Sequence, residues 1–119
     1  MAVTPAQARK LALSFENVSA TPHFNRTAFR TPRRIFATLA NDGSDLNLMF
    51  DPPLRDFFCE QDDSFSPVPG GWGKQGATRC DLKRVDKDTL TSALSAAHAL
   101  ANAPRPVAKK SAKRAKRSG

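Results

Sequence analysis

Seven basic side chains crowd the last fifteen residues of this chain: Arg105, Lys109, Lys110, Lys113, Arg114, Lys116 and Arg117, with no acid among them. Lys and Arg at that density neutralise phosphates. The counterions they release make binding favourable and salt-dependent, with a log–log salt slope of about −6 if all seven engage duplex DNA. The Ala and Ser spacers hold no side chain in a groove, so nothing in the segment reads a base sequence. The other twelve Lys/Arg stand against all eleven Asp/Glu. The net charge of +8 therefore belongs to an appendage on a nearly neutral body. An anionic membrane would attract the same cations, but no apolar anchor accompanies them. A solubilising tail or a localisation signal is the alternative reading.

A second set of cations lies in the body. Arg33 and Arg34 fall at a predicted hairpin turn, Lys74 in a Gly- and Trp-rich loop, and Arg79 on the strand after it, with Lys83 and Arg84 at its end. If hairpin and loop form two wings, these side chains meet backbone phosphates and Trp72 wedges against a sugar or stacks on a base. Cations at turns are otherwise simply solvated, and a lone Trp in a small domain is more often a packing anchor.

The glycines of the loop do not make a phosphate cradle, which needs a strand before it and a helix after it. Cys59 and Cys80 form no CxxC pattern, and with His23 and His98 they show no nucleophile–base spacing. Close acid pairs, Asp62-Asp63 and Asp86/Asp88, are explained by turns and caps. The residues thus point away from an enzyme, a bound metal or a cofactor.

The elements that must position these groups follow from local pattern. Thr4-Pro5-Ala6-Gln7 is a capping box with proline at the first helical position. Ala8, Leu11, Ala12 and Phe15 then make one apolar stripe, and the helix is expected to stop near Glu16–Asn17. Thr21-Pro22-His23 reads as a turn or extended lead-in. Strands are predicted over Thr27–Thr31, Arg34–Ala40 and Leu46–Phe50, the last two joined at Asp42-Gly43. Asp51 caps a short helix with Leu54, Phe57 and Phe58 inward. Phe65–Val68 reads as an edge strand. Pro69–Gly76 reads as an irregular loop, and Ala77–Leu82 as a strand. Asp86 opens the last helix, stapled by Val85 and Leu90, with Leu90, Ala93, Leu94, Ala97, Leu100 and Ala101 as its buried stripe. Pro104 and Pro106 end it.

Three segments in order resemble the MmcQ/YjbR family: Pro22–Arg30, Arg34–Leu39 and the block Phe65-Ser-Pro-Val-Pro-Gly-Gly-Trp-Gly-Lys-Gln-Gly-Ala-Thr-Arg-Cys-Asp-Leu82. The likeness covers roughly residues 5–102. It implies a CyaY-like fold and DNA binding through a double wing. Ala77 stands where family members often carry an aromatic, so no stacking role falls to it. The first helix has no acidic ridge, so iron binding does not carry over.

The expectation is an α+β domain, residues 1–103, built on an antiparallel sheet of about five strands with helices on one face. A disordered basic tail, 104–119, follows. The expected role is non-enzymatic, low-specificity nucleic-acid binding, to DNA first, through Arg33, Arg34, Trp72, Lys74, Arg79 and the tail's Lys109, Lys110, Lys113, Arg114, Lys116 and Arg117. The alternative is a protein- or small-ligand-binding module whose tail serves only solubility or targeting. The composition and the unpaired cysteines fit a reduced, cytoplasmic setting, with nucleoid association as a variant. No apolar run reaches membrane-spanning length.

Overall fold

Thr4 opens α1 (Pro5–Leu13) through the reciprocal capping box with Gln7 that its sequence predicts. The structure is a computed structural model and describes residues 3–103. The helix closes earlier than its stripe suggests, because Ser14 caps it and Asn17 turns the chain at φ 61. Leu11 and Phe15 still reach the core from its end.

Six strands follow: β1 (Ser19–His23), β2 (Arg26–Arg30), β3 (Ile35–Ala40), β4 (Asp45–Met49), β5 (Phe65–Pro67) and β6 (Ala77–Asp81). They form one antiparallel sheet in the order β1-β2-β3-β4-β6-β5. The sixth strand is β1, which the sequence presents as a lead-in. Pro22 is tolerated there because β1 lies at an edge, where one row of N–H groups has no ladder partner. The opposite edge strand, β5, carries Pro67. His23 thus closes the first strand rather than preceding it.

The register sorts the side chains. Leu46 and Leu48 of β4 lie opposite Leu39 and Ala37 of β3, and opposite Cys80 and Thr78 of β6, all on the helix side. A bulge opposite Phe29 places both Phe36 and Ala37 on that side, so the strict alternation expected along β3 breaks there. Phe29, Phe36 and Ala37 are all fully buried.

The face is covered by α1, by α2 (Pro52–Gln61) and by α4 (Lys87–Asn102). Asp51 and Asp86 cap α2 and α4 as their positions predict. The staple pair Val85 and Leu90 is fully buried. His98 ties the end of α1 to α4: its Nε2 donates to the Glu16 carbonyl at 2.9 Å while its ring stacks on Phe15. Phe58 stacks on Phe50 at a centroid distance of 5.0 Å. Phe57, expected inward, points out instead, because Phe58 takes the single inward slot beside Phe50 and Phe65.

The Gly/Trp segment holds one short helical turn, α3 (Gly71–Lys74), where an irregular loop is expected. Gly70 enters it at φ 83, and the Gln75 N–H closes it on the Gly71 carbonyl at 3.2 Å. Arg55 of α2 fastens its end by donating to the Gly73 carbonyl at 2.7 Å. A side chain at Gly73 would strike the Val68 carbonyl, so the turn packs on the strand leading out of β5 only with glycine there. Among the described residues no helix is long and apolar enough to cross a membrane.

Candidate functional site

Among the described residues no helix packs across the sheet's second face, and a concavity of about 870 Å³ opens there. Its floor is set by the register: Thr38, Asn47, Met49 and Ala77 are the residues of β3, β4 and β6 that point away from the core. Phe24, at the tip of the β1–β2 hairpin, lines one end, while Arg34 and the α3 residue Trp72 line the other. The wall near Arg34 is completed by Leu100 and Ala101 of α4. Leu100, expected on the buried stripe, is therefore only half-buried.

The predicted cations divide. Thr31 holds the β2–β3 turn from inside, its hydroxyl accepting the N–H groups of both Arg33 and Arg34 at 3.1 Å. That leaves the Arg33 side chain exposed. Arg34 is half-buried, and its Nη2 donates to the Ala103 carbonyl at 3.4 Å. It thereby brings a cation to the C-terminus of α4, whose last turn has no basic residue of its own. Lys74 is exposed on α3, two residues from Trp72.

Arg79 is held in an ion pair. Asp45 binds Arg79 Nε through Oδ2 at 3.2 Å and Arg26 Nη2 through Oδ1 at 2.7 Å. Arg26 also donates to the Thr38 hydroxyl and carbonyl, both at 2.9 Å. One carboxylate thus serves two guanidiniums, and the middle of the face carries less free positive charge than its arginines imply. The arginine is engaged because the β4–β6 register pairs it with Asn47, two residues along β4 from Asp45 and on the same face, so Asp45 is its diagonal neighbour.

Arg34 and Trp72 are thus brought to one concavity, and Arg33, Lys74 and Arg79 are not among its lining residues. The tail residues Lys109, Lys110, Lys113, Arg114, Lys116 and Arg117 lie outside the described residues.

No family model, curated protein or solved structure matches this chain. The chemistry of the face must be read from its own residues. Trp72 is 66% exposed, which removes the packing-anchor reading, and Phe24 is 93% exposed. Phe24 escapes sequence reasoning; the signal that points to it is its place between Pro22 and Asn25, a turn in which an apolar side chain has nowhere to bury. Asn25, Asn47 and Gln75 add amide donors and acceptors to the lining.

The nucleophile candidates are spread through the molecule. Burial, helped by the Asp62, Asp81 and Asp45 carboxylates, pushes the Cys80 thiol up to about 12, so it stays protonated at neutral pH. Burial also raises the Cys59 thiol. Ellman titration of the folded protein should therefore show Cys80 unreactive until denaturant is added, with Cys59 reacting slowly; rapid release from both thiols would contradict the packing. Among the described residues no group of three or more His, Cys, Asp or Glu could hold a metal ion.

Proposed function

We propose that this protein is a non-enzymatic nucleic-acid-binding module of low sequence specificity, related to MmcQ/YjbR proteins, in which the basic tail supplies charge and the helix-free face supplies contacts. One observation carries the reading: an exposed Trp72 and the Arg34 guanidinium share a concavity at whose rim α4 ends, and the chain continues from there into seven unopposed cations. Flexible cations grip phosphates without regard to sequence. Aromatic faces add sequence-tolerant stacking.

Arg33 and Lys74 are exposed and would add phosphate contacts on this reading, whereas Arg79 is engaged by Asp45. DNA is the first candidate polymer, and association with the nucleoid is the corresponding cellular setting.

The test is fluorescence anisotropy with labelled DNA across a salt series, for the full chain and for residues 1–103, which contain every buried core residue. The full chain should give a slope approaching about −6 on duplex, and the truncated protein about −3 or shallower. Absence of binding by the full chain at low ionic strength would end the proposal. Complete loss on truncation would assign all binding to the tail and leave the face to another ligand.

A further inference from the structure

Resting on the nucleic-acid reading above, we infer that the helix-free face is a single-strand site, in which Phe24 and Trp72 stack on unpaired bases while Arg34 holds the backbone. Three features favour single strands over duplex.

The first is shape. The site is a concavity of about 870 Å³ with aromatic side chains at its two ends. Bases inside a duplex are already stacked and their faces are closed, whereas unpaired bases lie flat on exposed rings.

The second is electrostatics. Asp45 occupies both Arg26 and Arg79, so the floor of the concavity offers phosphates little; among the described residues, the arginine of the lining outside that cluster is Arg34, at the rim beside Ala103. A cation at the rim, whose hydrogen bond to the Ala103 carbonyl leaves its charge uncompensated, suits bases inward and phosphates outward. Asp51, the acid in the lining, is turned to its own helix, accepting the Leu54 N–H at 3.0 Å. The amides of Asn25, Asn47 and Gln75 face the same space and match the donors and acceptors of base edges.

The third is the cost of Phe24. It sits at φ 57, a left-handed conformation that disfavours bulky residues, and it leaves its ring almost wholly in water. Its one aromatic neighbour is the exposed His23 ring, at 5.0 Å. Asn at this position would relieve the backbone and remove exposed apolar surface. An aromatic held there at a stability cost is what a stacking platform requires.

Trp72 is the chain's one tryptophan, so its emission reports this face directly. The experiment titrates the full chain with a short oligothymidylate and with a duplex of equal length, following Trp emission and the anisotropy of a labelled strand. The single strand should quench Trp72 and the duplex should not, even where the tail binds it. Trp72→Ala and Phe24→Asn should each weaken single-strand binding roughly 5- to 100-fold and weaken duplex binding far less. Phe24→Asn should keep or raise the melting temperature, which separates lost contact from lost fold. Equal affinity for both polymers without quenching, or wild-type single-strand affinity in both variants, overturns the inference while the tail-based reading stands. No binding of either polymer by the full chain overturns both.

Discussion

Replacing Gly76 with alanine should destabilise the domain by about 3–5 kcal/mol, a drop in melting temperature on the order of 20 °C. Gly76 joins α3 to β6 at φ 116, a region that residues with a side chain rarely occupy. A Cβ there would lie 2.3 Å from the Phe50 carbonyl oxygen and 2.4 Å from the Asp51 carbonyl carbon. Both are backbone atoms at the start of α2, so relief requires moving a strand end and a helix cap together. The cost is therefore strain plus overpacking, each worth about 1–3 kcal/mol. Gly71→Ala is the internal control. Nothing lies within 4 Å of a Cβ at Gly71, and its place in a helical turn favours alanine. Thermal denaturation should find Gly71→Ala within about 0.5 kcal/mol of the parent. Near-equal stability of the two variants would show that the α3–β6 junction is not closed as described. Because this junction carries Trp72, any folded fraction of the Gly76 variant should also show altered Trp emission.

Phe29→Ala should cost about 3–5 kcal/mol in urea denaturation. Phe29 is fully buried opposite the β3 bulge, where Phe36 and Ala37 both turn toward the helices. Deleting its ring removes a large apolar surface and leaves a cavity walled by β-sheet, which collapses poorly. Domains of this size are stable by about 5–15 kcal/mol, so the variant should be near its unfolding threshold. Phe57→Ala, by contrast, removes a ring that is 54% exposed and should cost less than about 1 kcal/mol. Similar losses for the two would mean that the core is not centred on the bulge.

The helices and the middle of the sheet were legible because their signals are local. Thr4, Asp51 and Asp86 mark three caps within a few residues of the apolar stripes that they open, and Asp42-Gly43 marks the β3–β4 turn. The strand β1 was not legible, since a proline argues against a ladder until the strand is known to lie at an edge. Nor was α3, whose helical turn depends on Arg55 of a different helix and on the space left by Gly73 against Val68.

The site divides along the same line. Arg34 and Trp72 could be named from their loops, and they share a concavity. Arg79 could be named too, but its pairing with Asp45 depends on strand register, which composition does not reveal. Phe24 was missed because exposure is a property of what fails to pack against a residue, and the turn between Pro22 and Asn25 is only a faint local sign of it.

The prolines at both margins of the sheet bear on whether copies of this chain can join edge to edge. Each interrupts the row of hydrogen-bond donors that a neighbouring molecule would need to extend the sheet. Proteins lined up along a nucleic acid meet their neighbours at very high local concentration, where an open margin would seed strand-by-strand growth into filaments. If the proposed nucleic-acid binding holds, such crowding would leave each copy a separate bead rather than a unit of a growing sheet.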